Sequence, residues 1–282
     1  MNTLLFVSPH LDDAVFSCAV KIRRACSLGH RVVVATVFSE GRDHAARRVE
    51  DAQAAAVLGA EARCLGFVDA LDRDAFYQGF ETLLFGLAAG DHGLADRVAR
   101  ALETLIGELG PVAVHAPLAV GTHADHRLCF EAVRRMQPPV SVTFYEDRPY
   151  SLAAGAVELR LRELGYDAGP LDPAAVLRAF RRLPHVRAYL PPGETRRRCE
   201  SLFIKPLELA PQAPCPPFEV IEANAAEARL AWDAAAAYAS QFAALCGSRR
   251  SLQRRDRHHA RHLHSTSPRA ERYWTLPPNP IP

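Results

Sequence analysis

A chain of 282 residues, 49% hydrophobic and 23% charged, has the balance of a globular protein and the length for one large α/β domain, which excludes disordered and fibrous classes. The formal net charge is only +2, carried almost wholly by arginine because Lys21 and Lys205 are the only lysines, so no basic domain of the kind that grips nucleic acid is expected. Seven cysteines stand singly, with no C-x-x-C pair, which argues against a disulfide framework and against thiolate zinc. The opening residues lack the basic and apolar regions of a signal peptide, and no run of about 18 apolar residues occurs, so a reduced, cytoplasmic protein without a membrane span is expected.

In chain order, Thr3 to Val7 is a short apolar run closed by Ser8 and Pro9, the pattern of a buried first strand that opens onto a loop. A helix is expected from about Asp12, whose carboxylate suits a cap, to Leu28, with Gly29 as its stop. Arg31 to Phe38 is continuous and β-branched, as in a parallel strand covered on both faces. Alternation continues with a helix over Ala45 to Leu58 stopped by Gly59, a strand near Ala62 to Gly66, a helix over Leu94 to Leu109 and a strand over Val112 to Ala116. After the Gly121 to His126 loop come a helix over Leu128 to Met136 and a strand over Val140 to Tyr145. This alternation predicts a Rossmann-like, doubly wound, mostly parallel α/β sheet with ligands beyond the C-terminal ends of its strands.

Beyond Ser151 the pattern thins to a helix over Pro173 to Phe180, a strand near Leu202 to Ile204, a proline-rich connector around Pro211 to Pro217, and one alanine-rich helix over Ala225 to Leu245. The stretch from Gly247 to Pro282 is expected to be an irregular extension, with Tyr273 and Trp274 packed back because a free tail has no use for so much apolar area. The whole reads as a single domain over 1–282, a core over 1–150 followed by substrate-side loops, a helix and the extension over 151–282.

Ser8-Pro9-His10-Leu11-Asp12-Asp13 puts an imidazole and two carboxylates on the loop where such a sheet binds its ligand. Alone, this cluster reads equally well as a capping carboxylate and a partly buried loop histidine. A second cluster, Gly121-Thr122-His123-Ala124-Asp125-His126, follows another strand and falls on the same edge. Together the loops offer a His, an Asp and a further His, the complement that catalytic zinc uses while keeping a fourth position open, with spare Asp and His for proton transfer and oxyanion stabilisation. A mixed nitrogen and oxygen set also accepts iron, cobalt or nickel. His258, His259, His262 and His264 are candidates for a second metal site, weighed against a solvated surface, and His115 reads as a core histidine within a strand. Neither G-x-G-x-x-G nor a P-loop occurs, which disfavours a nucleotide cofactor.

The two clusters resemble the paired His-Leu-Asp-Asp and His-x-Asp-His signatures of the LmbE-like (PIG-L) N-deacetylase family. Flanking stretches resemble family positions in the same order: Ala116-Pro117-Leu118, Arg47 to Asp51 with Leu58-Gly59, Tyr145 to Tyr150, Tyr238 to Gln241, and Glu271 to Trp274. Carried over by position, the resemblance implies His10, Asp13 and His126 as ligands of Zn2+ and Asp12 as general base. It further implies His123 as oxyanion stabiliser, Asp125 as a residue orienting a histidine, and Arg47 and Asp69 as substrate contacts. Leu11 stands where proline is frequent and Ala14 where a Glu often follows, so any support from that Glu is missing.

The implied activity is removal of an acetyl group from the amide nitrogen of an N-acetyl amino sugar or glycosylated small molecule. A same-fold amide hydrolase acting on a non-sugar acyl amide, and a metal- or sugar-binding module without catalysis, remain the alternatives. Specificity is expected in Asp69 to Gly93, Tyr150 to Pro170 and the C-terminal third, and a homo-oligomer or a monomer fits the sequence equally.

Overall fold

Continuous apolar runs become the inner strands of the sheet. The computed structural model describes residues 2–137, 140–190 and 192–277, so the closing Pro278 to Pro282 lies outside it. β1 (Thr3–Ser8) is flanked by β2 (Arg31–Glu40) on one side and β4 (Val112–Pro117) on the other, and β3 (Glu61–Val68) lies beyond β2. β5 (Val142–Tyr145) follows β4, and the sheet ends in β7 (Ala270–Trp274) and β6 (Phe218–Glu222). The order β3-β2-β1-β4-β5-β7-β6 is parallel through β5, and β7 runs antiparallel to both its neighbours.

Eight consecutive residues of β2, Val32 to Ser39, are buried, as a strand covered on both faces requires. The two faces separate by alternation. Leu5 and Val7 point toward the helices Leu94–Leu109 and Ala124–Arg135, whereas Phe6 points toward α1 (Asp13–Ser27) and the helix Ala225–Ala236. Strands β1 to β3 build in one direction and β4 to β5 in the other, so the topological switch point falls between β1 and β4. Phe6 pairs in register with His115, which brings the loops after Ser8 and after Pro117 to the same edge side by side.

Several local expectations are corrected. Asp12 precedes α1, but its side chain makes no capping hydrogen bond. The helix expected from Leu128 begins at Ala124, because His123 caps it by accepting from the Asp125 N–H, so Asp125 and His126 lie on its first turn. The strand near Leu202 is instead the end of a helix, Glu194–Ile204. The alanine-rich helix is two, Ala225–Ala236 and Ala239–Cys246, interrupted where the Tyr238 hydroxyl donates to Asp51 at 2.6 Å.

The C-terminal stretch expected to be irregular forms the helix Arg249–His262 and strand β7. Its arginines hide a buried face of Leu252, Asp256, His259 and Ala260, at helical spacing. Asp256 is matched there by Arg148, Arg269 and the Trp232 indole. Tyr273 and Trp274 are buried, as expected. No helix among the described residues is long and apolar enough to cross a membrane.

Candidate metal centre

The loop after β1 is folded by its own polar groups. Ser8 Oγ accepts from the Ala14 N–H at 3.0 Å and donates to the His10 carbonyl at 2.6 Å, while Asp13 Oδ2 accepts from the His10 N–H at 2.9 Å. The imidazole of His10 and the Asp13 carboxylate are thereby held over the strand end rather than left to rotamer freedom.

Beyond the neighbouring loop, His126 sits on the first turn of its helix and directs one ring nitrogen at the same carboxylate. Asp13 Oδ2 lies 3.2 Å from His10 Nδ1 and 3.2 Å from His126 Nε2. The far nitrogen of each ring meets another carboxylate: His10 Nε2 is 3.0 Å from Asp125 Oδ2, and His126 Nδ1 is 2.7 Å from Asp147 Oδ1. Two histidines backed by carboxylates and facing a third carboxylate form the arrangement that fixes imidazole tautomers for metal binding.

The two separations measured from Asp13 suit neighbouring ligands of a tetrahedral ion. Bond lengths of about 2.0–2.1 Å imply ligand-to-ligand edges of about 3.3–3.4 Å, close to the separations from Asp13. Among the described residues, the groups whose donor atoms all lie within 4.8 Å of one another are His10, His123 and His126, and His10, Asp69 and Asp125, neither of which includes Asp13. The latter set is less suited to a cation, because both Asp125 oxygens are already engaged by His10, the Ala70 N–H and Arg73. Among the described residues no comparable cluster gathers the C-terminal histidines: His259 faces Glu146 and His262 faces Glu158.

The electrostatics favour positive charge. Burial alone would lower His126, yet Asp13 and Asp147 lift it to about 9, and burial is likewise overcome at His10 by Asp69, Asp125 and Asp13. Burial would raise Asp13, but the two histidines hold it well below the usual carboxylate range. Asp12 behaves oppositely: burial and the neighbouring Asp13 charge push it up to about 7. Burial and His10 lower His123 to about 3, so its ring is neutral, and because Nδ1 accepts from the Asp125 N–H, the proton belongs on Nε2.

These groups line a cavity of about 370 Å³ together with Arg47, Asp69, Tyr150 and His185. Arg47 reaches within 3.8 Å of both Asp12 and Asp69, and its Nε has no hydrogen-bond partner among the described residues. The structure thus gathers all eight residues singled out from the sequence around one cavity, with Asp125 behind His10 rather than on the cavity wall.

A family model described as PIG-L: GlcNAc-PI de-N-acetylase matches residues 5–137, the stretch that carries both loops. A 2'-N-acetylparomamine deacetylase from Niallia circulans is 31% identical over 222 residues, covering 62% of this chain and 79% of the relative. The chain belongs to the PIG-L family. A second 2'-N-acetylparomamine deacetylase, from Streptomyces fradiae, is 35% identical over 178 residues, and the match spans 56% of this chain and 62% of that relative. The zinc-inhibited form of teicoplanin deacetylase shares the PIG-L fold seen here, with TM-score 0.69 and 22% identity over 100% of both chains.

Some residues of this PIG-L site carried no role in the sequence reading. Ser8 and Asp147 stand inside the Ser8 to Asp13 and Tyr145 to Tyr150 motifs, and a carboxylate two residues beyond β5 is the signal for Asp147. Arg73 and Asp91 gave none, since their pairing depends on how the 69–93 segment folds: Arg73 bridges Asp125 at 2.7 Å and Asp91 at 2.9 Å.

Proposed function

We propose that the chain is a zinc-dependent N-deacetylase that hydrolyses the acetamide of an acetylated amino sugar or other acetylated sugar-containing small molecule. The observation that carries the reading is the single carboxylate oxygen of Asp13 placed 3.2 Å from both His10 Nδ1 and His126 Nε2, with Asp12 beside it. His10, Asp13 and His126 would hold the ion. A divalent cation bound there supplies polarisation of the amide carbonyl and acidification of water.

The chain's own groups divide the remaining work. Asp12, free of any capping bond, takes the proton of the attacking water and returns it to the leaving nitrogen. His123 Nε2–H donates to the carbonyl oxygen as negative charge develops on it. Asp125 and Asp147 fix the two ligating rings, and Arg47 and Asp69 present a donor and an acceptor to sugar hydroxyls. The relatives named as 2'-N-acetylparomamine deacetylases support this assignment. A reducing, cytoplasmic location belongs to the same reading, since all seven cysteines are free.

The test is incubation of metal-loaded protein with a panel of N-acetyl amino sugars, detecting acetate and free amine, with and without chelator. Amine release abolished by chelation and restored by zinc is expected. Binding of metal and sugar without release would assign the site to a non-catalytic module.

A further inference from the structure

The catalytic cavity has two unlike halves. Every carboxylate on its lining, Asp12, Asp13 and Asp69, belongs to the cluster at its base, where Arg47 also sits. The outer half is neutral. It is built from Leu71, Phe80, Leu83, Leu84, Tyr189 and Leu245, with two glutamines, Gln78 and Gln241, as its polar contributions. His185, which shares this lining beneath the Tyr150 ring, adds no charge because burial lowers it to about 4.

These apolar side chains come from separate segments that converge on the cavity. Leu71 is on the short helix Ala70–Arg73, Phe80, Leu83 and Leu84 on Phe80–Phe85, Tyr189 on Pro184–Tyr189, and Leu245 on Ala239–Cys246. Leu71 remains 44% exposed and Tyr189 59% exposed, so large apolar groups face water at the rim of the cavity lined by His10, Asp13 and His126. Such a concentration beside a reactive centre marks a surface that a ligand covers. A ligand with additional ammonium groups would find no counter-charge there, and desolvating them against leucine and tyrosine would oppose binding.

We propose that the substrate carries an uncharged apolar substituent, alkyl or aryl, next to its acylated amino sugar, and that the Leu71, Phe80, Leu83, Leu84, Tyr189 and Leu245 wall selects for it. This rests on the deacetylase reading above. The sugar occupies the polar base with Arg47 and Asp69, and the apolar group lies along the outer wall. That group has two chemical sources, the aglycone of a glycoside or a lengthened N-acyl chain, and both offer the wall the same surface.

The experiment compares three substrates of the zinc-loaded protein: methyl N-acetyl-glucosaminide, octyl N-acetyl-glucosaminide, and the methyl glycoside of N-octanoyl-glucosamine, with amine release as readout. One of the two octyl compounds is expected to exceed the methyl N-acetyl compound in kcat/KM by about tenfold or more, mainly through KM, as burial of apolar groups in a matched pocket does. The one preferred identifies the source. In Tyr189→Ser, at an exposed rim position that the fold does not need, and in Leu83→Asp, the ratio of octyl to methyl kcat/KM should fall toward one. Equal kcat/KM for all three substrates overturns the apolar wall and leaves the deacetylase reading standing. No amine from any of them, with metal bound, overturns that reading and the wall with it.

Discussion

The Nδ1 atom of His126 lies 2.7 Å from Asp147 Oδ1, with both side chains shut off from solvent. The other oxygen of Asp147 accepts from the Val120 N–H at 2.9 Å, so the carboxylate ties the ring to the loop after β4. Asp147→Ala frees the ring to turn and removes the charge that raises its basicity. Zinc affinity, measured by competition with a chromogenic chelator, should fall about 10- to 100-fold, the usual effect of removing such a partner. Wild-type affinity in this variant would mean that the His126 ring is positioned by packing alone.

Arg73 is the shared cation of two buried carboxylates. It bonds Asp91 through Nε and Nη2 and reaches Asp125 Oδ1 at 2.7 Å, while the Tyr77 hydroxyl donates to Asp91 at 2.5 Å. Arg73→Met leaves Asp91 without its cation and strips Asp125 of one of its two, and should cost about 3–5 kcal/mol of stability in urea unfolding, as the loss of one partner of a buried pair does. A change below about 1 kcal/mol, the range of exposed pairs, would contradict this assignment.

Glu146 gives the C-terminal strand its acid sensitivity. Burial would raise its carboxyl, but Arg272 and His259 hold it at about 2, and Trp274 Nε1 donates to it at 3.0 Å. Burial keeps His259 below its usual range, so the charge facing Glu146 at neutral pH is that of Arg272. A depressed carboxylate contributes stability that is complete above its unfolded value of about 4.3 and is lost as pH falls toward its folded value. Between pH 6 and pH 3, unfolding free energy should therefore drop more steeply in the wild type than in Glu146→Gln. Parallel pH profiles for the two proteins would remove Glu146 from the acid response.

The sheet core was legible because β1 and β2 are dominated by apolar, largely β-branched residues, as a covered parallel strand requires. The two polar segments that meet at the cavity were legible because His10 to Asp13 and His123 to His126 lie in the connections that leave β1 and β4. Buried polar pairing was not. Asp256 and His259 read as part of an irregular extension in sequence, yet both are buried, Asp256 against Arg148 and Arg269 and His259 against Glu146, because Arg148 and Glu146 lie far away in the chain. The flanking motifs of the resemblance also meet in space, Asp51 with Tyr238 and Glu146 with Arg272, a pairing that no local pattern discloses.

The central claim assigns different work to two adjacent carboxylates, Asp13 to holding the metal and Asp12 to moving the proton. Asp12→Asn preserves shape and cannot take up the proton. The decisive measurement is turnover of this variant on its best N-acetyl sugar, with metal stoichiometry determined on the same sample and Asp13→Ala as the metal-losing reference. Turnover about 10²- to 10⁴-fold below wild type with metal content unchanged is the predicted result, the range that general base catalysis supplies. Loss of metal from Asp12→Asn while Asp13→Ala stays loaded would exchange the two roles, and full turnover by Asp12→Asn would contradict the account.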